Sequence, residues 1–200
     1  MIWKEILLEN EDLQPESMIR GIFLLESAEC IPDECFLSGR IVEIGAHRGG
    51  TTLRLAALVK KYNLSSVVAI DIFEDNGTEQ AKMEAMDERA LEYFLNNVNR
   101  NNLLDYIEYY KEDSKELGKR WSEPVGFIIF DGSHYYEDVK QDMLIWKEYI
   151  VPGGIILIDD YGSWGITPGP KGATDEVFLN NPQYKKLYSS NTFLVLQKTF

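Results

Sequence analysis

The chain has 200 residues, enough for one domain, with hydrophobic types at 44% and charged types at 26%. That balance excludes collagen, coiled coil and wholesale disorder. Asp and Glu number 33 against 20 Lys and Arg, a formal charge of -13. So acidic a chain repels a phosphate backbone, and it has no basic run longer than two residues, so nucleic acid is not an expected partner. No window approaches the roughly 20 apolar residues that span a bilayer. The amino terminus, MIWKEILLENEDLQPE, turns acidic where a signal peptide would stay apolar. Cys30 and Cys35 form neither a Cys-x-x-Cys pair nor a disulfide framework. The expectation is a cytoplasmic protein without membrane association.

Residues 1–40 read as a helical arm or cap. Pro15 suits a first helical turn, and Met18, Ile22 and Leu25 follow at spacings that make one apolar face. Such a helix either covers a sheet edge or closes over a ligand or a sister subunit; a homodimer is compatible with the second. From residue 41 the pattern alternates. A strand at 41–44 breaks at glycine, a helix follows at about 50–61, and a branched apolar strand occupies 66–72. A helix over 79–98 carries Met83, Met86, Ala90, Phe94 and Val98 as its core stripe, before a polar third strand near 105–110.

The run 125–130 is a fourth, buried strand, and 136–150 a helix facing inward through Val139, Met143, Trp146 and Ile150. Pro152-Gly153-Gly154 ends that helix, and 155–158 is a fifth strand. A glycine- and proline-rich loop spans 162–172, a short helix lies near 173–180, and strands at 184–188 and 192–198 close as a hairpin. Strand, helix, strand repetition with apolar strands gives an α/β layer sandwich on a mostly parallel sheet. Residues 41–200 make that domain.

In such a sheet, ligands sit beyond the carboxyl ends of the strands where strand order reverses. The first strand ends in Glu43-Ile44-Gly45-Ala46-His47-Arg48-Gly49, a tight turn that lacks the Gly-x-Gly-x-x-Gly of a dinucleotide fold. The second ends at Asp71, an acceptor for ribose hydroxyls beside Ile72, which can lie against a base. After the third, Glu112-Asp113-Ser114 offers an acceptor for an adenine amino group, or a helix cap at Asp113. The fourth and fifth end in Asp131 and in Asp159-Asp160. Three converging acids repel one another unless a cation neutralises them, and oxygen ligands suit Mg²⁺ or Mn²⁺. His134, one of two histidines, follows Asp131 closely and has the chemistry of a general base or of a helix-cap residue.

These residues resemble a class I S-adenosylmethionine-dependent methyltransferase, with Glu43-x-Gly45-x-x-x-Gly49 as its cofactor turn. The run DGSHYYEDVKQDMLIWKEYIVPGGIILIDDYGSW, from Asp131 to Trp164, resembles more narrowly the macrocin O-methyltransferase family and the related group found with cephalosporin hydroxylase-like proteins. The resemblance implies a Rossmann-like class I methyltransferase fold: a mostly parallel seven-stranded sheet, helices on both faces and a C-terminal antiparallel hairpin. It implies that Glu43, Gly45, Ala46 and Gly49 line the methionine portion of S-adenosylmethionine, with Asp131 at its border. Asp71 and Ile72 then take the ribose and base, and Asp113-Ser114 borders the adenine. Asp131, Asp159 and Asp160 correspond to magnesium ligands. Macrocin-type members place a carboxylate base two positions after the first ligand, where this chain has Ser133; the wider family shows Asp-Gly-x-His, which puts His134 in the base's role. Tyr161 and Trp164 fall where an acceptor binds. The implied reaction is metal-dependent O-methylation of a small molecule: a sugar, a polyketide glycoside or a catechol-like compound. The alternatives are an N-methyltransferase and a binding protein of the same fold without chemistry.

Overall fold

A computed structural model of the chain describes residues 30–73, 89–162 and 169–200. The apolar runs form one seven-stranded sheet: β1 (Arg40–Ile44), β2 (Val67–Asp71), β3 (Ile107–Lys111), β4 (Val125–Phe130), β5 (Ile150–Asp159), β6 (Tyr184–Ser189) and β7 (Phe193–Lys198). Their order is β3-β2-β1-β4-β5-β7-β6. The first five run parallel, and β7 is inserted antiparallel between β5 and β6. This is the Rossmann-like fold of class I methyltransferases.

Strand alternation divides the core between two faces. Ile41, Val67, Ala69, Phe127, Ile129, Ile155 and Leu157 share one cluster with helices α1 (Gly50–Tyr62) and α2 (Ala90–Arg100). Val42, Ile44, Val68, Ile70, Ile128, Phe130, Ile156 and Ile158 share the other with α3 (Ser114–Gly118), α4 (Tyr136–Trp146) and α5 (Gly169–Thr174). With both faces covered, β1, β2 and β4 have no polar alternation to display. The one buried acid within these strands is Glu43, at 1% exposure.

Three boundaries differ from the sequence expectation. Ile150 does not close the helix 136–150; α4 ends at Trp146, and Ile150 begins β5 by pairing with Val125. Pro152, Gly153 and Gly154 therefore bulge within a strand, where the β4–β5 register shifts, rather than separating helix from strand. The end of the expected loop 162–172 is helical, because α5 starts at Gly169 and runs into a π-helical turn, Asp175–Leu179. Of the expected helix over 79–98, the described part begins at Ala90; Met83 and Met86 lie outside the described residues, as do the arm at 1–29 and Trp164. Among the described residues no helix is long and apolar enough to cross a membrane.

Candidate active site

Strand order reverses between β1 and β4: the chain steps from β1 outward to β2 and β3, then returns to lay β4 on the other side of β1. The turn after β1 sits at this switch point. Gly45 has φ 94°, and a Cβ there would lie 2.1 Å from the backbone oxygen of Asp131, so only glycine lets the turn pass the end of β4. The Gly45 and Ala46 amides donate to the Ile70 carbonyl at 2.9 and 3.3 Å, and the His47 amide donates to Asp71 Oδ2 at 2.8 Å. The turn is thereby tied across the end of β2.

Gly49 precedes α1 and offers no capping side chain. The first turn of α1 holds Thr51, 2% exposed, whose hydroxyl is buried without a hydrogen-bond partner. A ligand with a polar group at this helix start would satisfy it and meet the N–H groups there. The neighbouring Thr52 hydroxyl donates to Glu43 Oε2. Burial pushes the Glu43 carboxyl up to about 8, against the pull of the Thr52 hydrogen bond and with Asp71 adding repulsion. The glycine passage and the orphaned Thr51 hydroxyl fit the amino-acid end of S-adenosylmethionine.

Asp71 does more than end β2. Its Oδ1 accepts from the Phe73 amide at 2.6 Å while Oδ2 holds the His47 amide, so it fixes both the turn above β1 and its own exit, with Ile72 between. Asp113 takes the cap role: Oδ1 accepts from the Lys115 and Glu116 amides at the start of α3, and Oδ2 pairs with Lys115 at 3.2 Å. Its carboxylate is thus committed to α3. Ser114, next along, points its hydroxyl at Asp142 on α4 instead, at 2.5 Å.

The acids of β4 and β5 do converge, in an arrangement the sequence did not suggest. Asp131 is hydrogen-bonded to Asp159; burial, then Asp159, holds the Asp131 carboxyl well above the usual range, and Asp159 is also raised by burial and by Asp160. Two hydrogen-bonded carboxyls share a proton. Asp160, whose φ is 53°, meets His134 Nε2 through Oδ2 at 2.9 Å. Oxygen ligands have the right chemistry for Mg²⁺, but among the described residues no three His, Cys, Asp or Glu side chains are gathered to hold a metal ion. Asp160 in turn faces the His134 imidazole. The expectation of a divalent cation at Asp131, Asp159 and Asp160 is thus not supported among the described residues.

The loop carrying His134 is held from two sides. The Ser133 hydroxyl donates to Asp138 at 3.2 Å, so the residue that replaces the macrocin-type carboxylate serves the start of α4. At Gly169 an added Cβ would lie 1.8 Å from the His134 backbone oxygen, so α5 begins pressed against the loop. Tyr161, directly after Asp160, donates its hydroxyl to Asp175 Oδ1 at 2.8 Å, with the Lys171 ammonium over its ring at 5.1 Å.

Two residues of this region escaped the sequence reading. Thr51 carried no signal beyond its place after the glycines. Asp142 did carry one: it stands between Val139 and Trp146 on the apolar face of α4, where an acid is out of pattern.

Comparison with known proteins agrees with this geometry. Residues 42–161, more than half of the chain, match the family described as "Methyltransferase domain". A relative from Acanthamoeba polyphaga mimivirus, the uncharacterized protein R132, is 24% identical over 138 residues, 68% of this chain; the chain spans 58% of that relative's length. The solved O-methyltransferase NovP superposes with a TM-score of 0.73 at 19% identity, covering 94% of this chain and 84% of NovP. A rRNA methylase from Streptococcus thermophilus superposes at 0.62 and 18% identity, covering 92% and 99%. These likenesses reach class I methyltransferases in general rather than the macrocin family in particular. The chain belongs to the methyltransferase-domain family and has its mostly parallel, Rossmann-like seven-stranded fold.

Proposed function

We propose that residues 41–200 transfer the methyl group of S-adenosylmethionine to a hydroxyl of a small molecule. The observation that carries this reading is the His134–Asp160 contact of 2.9 Å at the carboxyl ends of β4 and β5, beside the switch-point turn. When bound, the cofactor supplies an electrophilic methyl group on its sulfonium. The chain's own residues do the rest. The turn at Gly45 and the helix start at Thr51 receive the amino-acid end. Asp71 lies next in line for the ribose, and Ser114, at the start of α3, for the adenine.

His134 engages Asp160 through Nε2, and its imidazole has the chemistry to take the proton of an acceptor hydroxyl. The Asp160 carboxylate then balances the imidazolium. Alignment of oxygen and methyl group in one crevice supplies much of the remaining acceleration.

The charge of -13 supports a small acceptor over RNA, since the phosphate backbone would be repelled. Tyr161, which directly follows Asp160 and is hydrogen-bonded to Asp175 of the Lys171–Asp175 pair, is the side chain we assign to the acceptor. The test is methyl transfer from labelled cofactor to a panel of sugars, glycosides and catechols, alongside RNA. Label on a hydroxyl oxygen of a small molecule supports the reading. Label on nitrogen, or on RNA alone, overturns it.

A further inference from the structure

Asp142 is a buried acid on the pocket that also holds Asp131 and His134, and the proton transfer to His134 does not use it. It lies on α4, 5% exposed, one helical turn before Trp146. Its Oδ1 accepts the Ser114 hydroxyl proton at 2.5 Å, while Trp146 Nε1 donates to the Ser114 carbonyl at 3.1 Å. One face of α4 thus holds both the side chain and the backbone of the first residue of α3. Ser114 in turn stands beside the Asp71 strand: Lys111 pairs with Asp71 in register, and the Glu112 amide donates to the Asp71 carbonyl at 3.1 Å.

A free serine hydroxyl is ambivalent, one donor and two acceptor lone pairs, whereas a carboxylate only accepts. Against Asp142 the Ser114 proton is therefore fixed inward, and Ser114 Oγ can offer only lone pairs to a ligand. Asp113 cannot substitute as the reader of a base, since its carboxylate caps α3 and pairs with Lys115. Burial raises the Asp142 carboxyl to about 6, with the Ser114 hydrogen bond and Lys115 restraining the rise. At pH 8 it is the acceptor that this geometry needs.

We infer that Asp142 is a positioning residue that fixes Ser114 as a hydrogen-bond acceptor, so that the β3 end of the crevice selects a 6-amino purine over a 6-oxo purine. The inference rests on the cofactor reading above. Adenine would donate its exocyclic amino group to Ser114 Oγ. Hypoxanthine would set a carbonyl oxygen against that same acceptor, leaving both unsatisfied.

Calorimetric titration at pH 8 with S-adenosylhomocysteine and with its deaminated analogue, S-inosylhomocysteine, tests this without turnover. The wild-type protein should prefer the adenine ligand by about tenfold or more. In Asp142→Asn the amide can donate to Ser114 Oγ and turn its proton outward, so the preference should shrink toward unity or invert. Ser114→Ala should lose the preference while still binding both ligands. A purely structural Asp142 would weaken both ligands by one factor and leave their ratio intact. Equal wild-type affinities, or an unchanged ratio in Asp142→Asn, would overturn the inference. Should Asp142→Asn fail to fold, an unchanged ratio in Ser114→Ala overturns it equally. Failure of S-adenosylhomocysteine itself to bind the wild type would instead defeat the cofactor reading.

Discussion

His134 Nε2 and Asp160 Oδ2 lie 2.9 Å apart, joining the loop after β4 to the end of β5. The contact engages the ring through Nε2. His134→Ala should lower kcat about 100-fold or more with S-adenosylhomocysteine affinity unchanged. Steady-state kinetics beside calorimetry checks this, and a kcat near wild type would remove His134 from the proton transfer.

The same contact occupies Asp160 Oδ2, and among the described residues no three acids or histidines are gathered to hold a metal ion. Turnover that persists in EDTA is the expected result. Activity abolished by EDTA and restored by Mg²⁺ would contradict it and return the three acids to the role that the macrocin resemblance implies.

Glu43 sets a pH dependence of stability. Its folded-state carboxyl titrates at about 8 against an ordinary 4.5, chiefly through burial, so the folded protein holds this proton more tightly than the unfolded chain. The unfolded state releases it first as pH rises. The contribution is therefore present in full below 4.5 and is lost as pH climbs toward 8. Glu43→Gln, which cannot ionise, should show a flatter decline in urea stability across that range. Parallel wild-type and variant curves would show that Glu43 is ionised in the folded protein.

Gly169 offers a test of how the base is held. A Cβ at 1.8 Å from the His134 carbonyl oxygen forces α5 or the His134 loop to move. Gly169→Ala should cost about 1–3 kcal/mol in urea unfolding. It should also lower kcat more than it weakens cofactor binding. Wild-type stability and kcat together would show that the loop and α5 are not in this contact.

Much of the architecture was legible because parallel strands covered on both faces read as continuous apolar runs; 66–72, 125–130 and 155–158 each appear as β2, β4 and part of β5. The helix 136–150 was misjudged at its end because Pro152-Gly153-Gly154 reads as a stop between elements. In the structure these residues bulge inside β5, and pairing of Ile150 with Val125 outweighs the local signal. At the site, chain order and strand ends were enough to bring Asp131, Asp159 and His134 around one pocket. Side-chain partners were not legible. Nothing in the spacing separates an Asp160 that faces a metal from one that faces His134, because that choice depends on backbone φ and on the packing of Gly169. Asp113 shows the same limit: its place after β3 suits a base acceptor and a helix cap alike, and the orientation of α3 decides for the cap.

The methyl-transfer reading requires the crevice at the β1–β4 switch point to bind S-adenosylmethionine. Calorimetric titration of the wild-type chain with S-adenosylhomocysteine tests it most directly, with a Gly45→Val control whose side chain would collide with the end of β4. Micromolar binding by the wild type, lost in the control, is the predicted result. No binding by the wild type at millimolar ligand would contradict the account.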